Sequence, residues 1–408
     1  MLNLRLFLAL ALTLFLAACG GGTPPPPSSI TLTVEDPANS FDAAAYQVGS
    51  GNWQPLTLSG TSTKTGTFSL GGQTKYGVAV RCSGLEVKVI QATASELPNP
   101  KLECSSAPAT VSFTVNVNVD SSLIAGGDEV CVNGPSCSPA ATNVSVTVST
   151  ATGNQDFLVT LRASGGFVKV AKVLKGVNVV SGGNAAVSLS TSDQLPPVNL
   201  TLPTPPSGYA PLMGALASYL SSSNTGGGTV NASLTSYRPV SGSGGGDRYA
   251  TVIQTSTSAT NASLLSIQVF GSGSPNLNLP APWPSGSVSV NPQAHPSVSG
   301  LSRNDNGLQG YRIYLQIAAR IYYTATLSKG WLGTQTSYTL PDLSAPSLLG
   351  YTPPTGSGSF GVSAILSNKN LLALDLNNPS AFQAGDYLQE ATAQTNNYTV
   401  GGSSITLP

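Results

Sequence analysis

Charge is what this chain has least of. Asp, Glu, Lys and Arg make up 8% of its 408 residues, against about a quarter in an ordinary globular protein. The 17 basic and 17 acidic side chains balance. That leaves no basic face of the kind nucleic acid demands, so a nucleic-acid partner is excluded. Histidine is scarcer still, since His295 is the only one. A histidine zinc site or a Ser-His-Asp mechanism would hinge on that residue alone. It lies in a loop between Pro292 and Pro296, where a solvated side chain is the plain reading. The chain contains no G-x-S-x-G, no H-E-x-x-H and no G-x-x-x-x-G-K-[ST] sequence, which removes the usual hydrolase and phosphate-loop schemes. Its acids are scattered, with Glu35-Asp36 and Asp128-Glu129 as adjacent pairs, and no set suggests the two facing carboxylates of a glycosidase. Asn304-Asp305-Asn306-Gly307 is turn chemistry. Read as a calcium loop it would put Ile313 where a bidentate Glu is required. The expectation is a protein with no catalytic centre, no metal and no cofactor.

What is present is β-forming material. Hydrophobic residues are 40% of the chain, enough to bury cores, while Ser, Thr, Asn and Gly supply polarity without charge. Val111-Ser-Phe113-Thr-Val115-Asn-Val117-Asn-Val119 alternates perfectly, as a strand with one buried face must. Ile30 to Val34, Tyr76 to Cys82, Val144 to Val148, Phe157 to Leu161 and Val198 to Leu202 repeat the pattern. In the Tyr76 strand Cys82 shares the face of Tyr76, Val78 and Val80, so it reads as a buried half-cystine. Turns of Gly, Asn and Ser separate these runs, and the class expected is all-β, tandem immunoglobulin-like β-sandwich domains. Composition shifts divide the chain into residues 30–106, 107–203 and 207–408, the last a larger β domain or two small ones. Residues 311–327 read as one long strand or two joined near Ala318-Ala319, and 209–221 as a short helix or a strand.

The N-terminus carries the most specific motif. Arg5 precedes an apolar run from Leu6 to Leu16, followed by Leu16-Ala17-Ala18-Cys19. The run is shorter than the ~20 residues of a spanning helix and has the length of a signal-peptide core. The motif resembles the lipobox of bacterial lipoproteins. That resemblance implies a signal peptide over residues 1–18, cleaved before Cys19, and acylation of Cys19, with membrane lipid as a partner. Each buried methylene of the acyl chains would contribute about 0.8 kcal/mol to anchoring. Residues 19–29, with three glycines and four prolines after the Cys, then form a tether. The implied location is the extracytoplasmic face of the cell membrane or outer membrane, within the large group of bacterial surface lipoproteins of uncharacterised ectodomain.

Export agrees with the remaining cysteines, Cys82, Cys104, Cys131 and Cys137, whose even number in an oxidising compartment points to disulfides. Three connectivities exist, and proximity favours Cys82–Cys104 with Cys131–Cys137. The one positive sign of a ligand is aromatic. Tyr311, Tyr314, Tyr322, Tyr323, Trp331, Tyr338, Tyr351 and Phe360 crowd into fifty residues, and aromatic faces stack on sugar rings. Core packing is the competing account. The sequence therefore points first to a structural, adhesion or protein-binding role at the envelope. Binding of cell-surface carbohydrate through Trp331, Tyr311 and Tyr322 is the second reading, and a glycan-acting enzyme the third.

Overall fold

The alternating runs become strands because their apolar faces meet one another across sandwiches. The computed structural model describes residues 27–83, 86–105, 110–257, 262–317, 320–370, 372 and 382–407. The motif around Cys19 lies outside them. Among the described residues no helix is long and apolar enough to cross a membrane, and strands dominate throughout. The all-β sandwich class expected from the alternation is the one observed.

The cleanest strand of the sequence, Val111–Val119, pairs with Asn143–Thr150 on one side and, in parallel, with Asn184–Leu189 on the other. This three-stranded sheet faces a second one ordered Ser136–Pro139, Glu129–Val132, Gly153–Arg162 and Val168–Val179. Phe113, Val115, Val117 and Val119 fill the space between the sheets, with Phe113 stacked on Phe157 at 5.5 Å. Each such buried side chain contributes about 1.5–3 kcal/mol. The strand Gly153–Arg162 does not alternate in burial. Its other face, through Leu158, packs with Ala171 and Val173 against Tyr219, Tyr237, Tyr249 and Phe270 to make a second core. The ambiguous stretch near residue 216 resolves here as the strand Leu216–Leu220, which buries Ala217 and Tyr219.

The largest element is a sheet of twelve strands. Its order is Gly227–Thr229, Leu216–Leu220, Arg248–Ser256, Ser263–Phe270, Tyr387–Thr399, Ser357–Ser367, Leu308–Ile317, Arg320–Ser328, Val87–Thr93, Lys75–Cys82, Phe41–Val48 and Gln54–Pro55. Leu308–Ile317 and Arg320–Ser328 pair antiparallel as a hairpin, so the long apolar run near residue 318 is two strands. One joint in the sheet is parallel: Tyr323 to Leu327 pair with Val87 to Gln91. It splices the strands of residues 41–93 onto those of residues 216–399.

That splice explains the burial of Lys75–Cys82, where five consecutive residues are buried. Tyr76, Val78, Val80 and Cys82 point to a sandwich closed by Ile30, Leu32 and Val34 from the strand Ser29–Glu35. Ala79, with Val87 and Val89 of the next strand, faces the other way. There it joins a core lined by Tyr311, Ile313 and Leu315 and closed by a four-stranded sheet, Ser337–Thr339, Ser297–Ser299, Val288–Asn291 and Ile405–Leu407. Cys82 is bonded to Cys104 with Cα atoms 5.4 Å apart. Cys131 is bonded to Cys137, its directly opposed partner in a hairpin, at 4.0 Å. Among the described residues Glu129, Cys131 and Cys137 have the spacing of a metal-donor group, but both sulfurs are spent on the disulfide and ligate nothing.

Candidate functional site

The sequence places its ligand site on C-terminal aromatics, and the structure sorts them. Tyr311 is 2% exposed in the largest core. Its ring lies 6.0 Å from that of Trp283, and its hydroxyl accepts a hydrogen bond from the Arg303 backbone at 2.9 Å. It is removed from the site, because its strand turns that face inward against the second sheet. Tyr323, Tyr351 and Phe360 are buried likewise. Tyr322 falls in the strand Arg320–Ser328, and its side chain is outside the described residues. Trp331 is different: it is half-buried and lines an open cleft of about 650 Å³, a volume within the usual range of small-molecule sites.

The cleft lies at the splice between the distant parts of the chain. One wall comes from residues 47–53, 73–75 and Gln91, the other from Trp331, Gln335 and residues 337–341. Trp53 supplies the second large aromatic. It sits in the loop before the two-residue strand Gln54–Pro55. Its ring packs against the long sheet at position 77, which has no side chain. A Cβ on Gly77 would stand 2.9 Å from the Trp53 ring and 3.1 Å from Gln91 Cγ.

Trp331 is held by a four-residue helix, Lys329–Leu332, too short to persist alone. Ser328 caps it, accepting from the Trp331 backbone N–H at 3.0 Å. The Ser328 hydroxyl in turn donates to Glu96 Oε2 at 2.5 Å, and the Gly330 N–H donates to Glu96 Oε1 at 2.7 Å. Glu96 is itself oriented by the Thr93 hydroxyl and backbone N–H, at 2.7 and 3.2 Å. The carboxylate passes so close that a Cβ on Gly330 would lie 2.6 Å from it. A residue from the first strands thus fixes an aromatic more than 230 positions later.

The polar atoms of the cleft are incompletely satisfied. Tyr338, edge-on to Trp331 at 5.9 Å, is 5% exposed, and its hydroxyl has no protein partner. Burial pushes that phenol well above the ordinary tyrosine range, so it stays protonated and able to donate. Trp331 Nε1 and Gln91 Oε1 also lack protein partners, while Gln91 Nε2 donates to Gln47 Oε1 at 3.0 Å. A buried orphan of this kind costs about 1–3 kcal/mol. These three atoms are closed off from solvent, and the polar groups the cleft presents beside its two indoles are the exposed side chains of Gln73, Gln335, Ser337 and Thr339.

His295 is elsewhere and engaged on both ring nitrogens. Nδ1 lies 3.2 Å from the Tyr351 hydroxyl and Nε2 lies 3.4 Å from Asp342 Oδ1. The Ser344 hydroxyl donates to the same Asp342 Oδ1 at 2.6 Å, so that serine is held on the carboxylate and not on the imidazole.

No protein-family model matches the chain, and no curated protein matches it. Among solved structures, the CBMbc module (family CBM26) of Eubacterium rectale Amy13K, in complex with maltoheptaose, aligns at 14% identity. That alignment covers 39% of this chain and 91% of that one, with a TM-score of 0.15. The tetra-tandem repeat in the extending region of a large adhesion protein aligns at 10% identity over 90% of this chain and 99% of that one, with a TM-score of 0.12.

Proposed function

We propose that this protein is a lipid-anchored carbohydrate-binding protein of the cell envelope, with the Trp53–Trp331 cleft as its sugar site. The observation that carries the reading is the pairing of two half-buried indoles, Trp53 and Trp331, with the exposed amides and hydroxyls of Gln73, Gln335, Ser337 and Thr339 in one open cleft. Sugar rings present apolar C–H faces to aromatic planes and hydroxyls to fixed polar groups, and this cleft offers both. Its lining holds amides, hydroxyls, two indoles and the Lys75 ammonium but no carboxylate, histidine or thiol, so the chemistry it supports is recognition rather than turnover. Adhesion through the sandwich faces is compatible with this role, the cleft supplying the contact with polysaccharide.

Affinity electrophoresis of the full chain through gels containing cell-wall material and purified polysaccharides tests the site. Retardation by at least one glycan is expected, with Trp53→Ala and Trp331→Ala each weakening it about ten-fold or more. A full panel without retardation would overturn the reading. The anchor is tested separately: Cys19→Ser should release the protein from membranes or block its processing, and unchanged membrane retention would contradict lipidation.

A further inference from the structure

The lysines of this chain are almost all spoken for. Seven of the nine, Lys64, Lys88, Lys101, Lys169, Lys172, Lys175 and Lys369, have a carboxylate partner. The two that have none among the described residues, Lys75 and Lys329, both belong to the cleft region. Lys75 is part of its lining, and Lys329 begins the helix that carries Trp331. A lysine without a carboxylate partner in the lining of a cleft departs from the pattern of the seven paired lysines.

The surroundings leave them unneutralised. No Asp or Glu lines the cleft. Glu96 stands behind the Trp331 helix, outside the lining, where its carboxylate accepts from Ser328 and Gly330 on either side of Lys329. Lys75 is half-buried, and a partly buried ammonium is screened less than one in open water. A ligand bearing an anionic group on a sugar ring gives Lys75 the counter-charge it lacks while the ring covers an indole, which a neutral sugar does not.

Resting on the carbohydrate reading of this same cleft, we infer that its ligand is an acidic polysaccharide whose carboxylate or sulfate group meets Lys75 while the ring stacks on Trp53 or Trp331. Lys329 raises the local positive potential and speeds capture, as charges at the rim of a site do.

The test titrates the full-length protein, purified in detergent, with polygalacturonate, dextran sulfate and dextran. Wild type is compared with Lys75→Gln, Lys329→Gln and Trp331→Ala. Binding of at least one anionic polymer over dextran is expected, and the preferred polymer distinguishes carboxylate from sulfate. Lys75→Gln should lower that affinity about ten-fold, as loss of a charge-assisted hydrogen bond does, and Lys329→Gln should act mainly on the association rate. Raising salt to about 0.5 M should weaken wild type more than Lys75→Gln, a comparison that holds even if the variant is somewhat destabilised. If dextran binds as well as the anionic polymers, with Lys75→Gln and salt without effect while Trp331→Ala still abolishes binding, the acidic specificity is overturned and the carbohydrate site stands. If none of the three polymers nor any glycan of the wider panel binds, the carbohydrate reading fails and this inference with it.

Discussion

Replacing Glu96 by alanine removes a side chain outside the cleft lining, yet it should disable the cleft. Two of the four hydrogen bonds to its carboxylate stay local, from Thr93; the other two, from the Ser328 hydroxyl and the Gly330 N–H, tie residues 93–96 to the Trp331 helix. Gly330 is exposed, so water replaces the carboxylate at its N–H with little loss. Ser328 is 0% exposed, and its orphaned hydroxyl costs about 1–3 kcal/mol. That hydroxyl is also the cap of the helix, and its reorientation toward another acceptor would forfeit up to about 1 kcal/mol more. The expected total is about 2–3 kcal/mol, concentrated on one turn rather than spread over the fold. Glycan titration and urea unfolding of Glu96→Ala and Glu96→Gln provide the assay. Glu96→Ala should lose about ten-fold or more in affinity, and Glu96→Gln, which keeps one carbonyl acceptor, should fall between it and wild type. Affinity and stability of Glu96→Ala both within about 0.5 kcal/mol of wild type would refute the clamp.

Three further outcomes follow from the same physics. Gly77→Ala puts a methyl 2.9 Å from the Trp53 ring; it should lift Trp53, red-shift its fluorescence and weaken glycan binding about as much as Trp53→Ala, and an unchanged spectrum would contradict the packing. Burial raises the Asp247 pKa, but Lys175, the Gly244 and Ser222 N–H groups and the Tyr219 hydroxyl outweigh it and hold the carboxyl down to about 2; Ser241, Ser190 and Lys172 do the same for Asp193. A depressed folded-state pKa stabilises above the unfolded value and is lost as pH falls from about 4 to about 2, on the order of 2 kcal/mol for each group; urea midpoints across that window should drop, and less so for Asp247→Asn measured against its own value at neutral pH. Cys82→Ala with Cys104→Ala opens a loop of sequence separation 22 and should cost about 3 kcal/mol in thermal unfolding, whereas a variant as stable as wild type would deny the bond a stabilising role.

Strict alternation made many individual strands legible. Val111–Val119 and Asn143–Thr150 lie where the valines alternate, and the cysteines join as their proximity suggests. What the sequence does not reveal is which strands are covered twice. Gly153–Arg162 and Lys75–Cys82 bury both faces, and their polar-looking faces of Thr160, Gly77 and Ala79 gave no warning. Nor does a sequence announce the parallel pairing of Tyr323 to Leu327 with Val87 to Gln91, because register between segments so far apart has no local mark. The site shared this fate. Trp331 was visible as a rare residue among aromatics, but Tyr311, read from the same crowding, is core. Trp53 belongs to the cleft, and Glu96 to the support of its Trp331 helix, only through the splice. Glycines at 77 and 330, each pressed by a neighbouring side chain, were the signal that remained unread.

The most direct measurement of the central claim is acrylamide quenching of tryptophan fluorescence with and without the best-binding glycan. The chain has three tryptophans, and Trp283, 6% exposed with its N–H donated to the Ala391 carbonyl at 2.7 Å, is already shielded. Saturating glycan should protect Trp53 and Trp331 from the quencher, and Trp53→Ala and Trp331→Ala should each remove part of that protection. Glycan binding that leaves quenching of both indoles unchanged would place the sugar elsewhere and contradict the account.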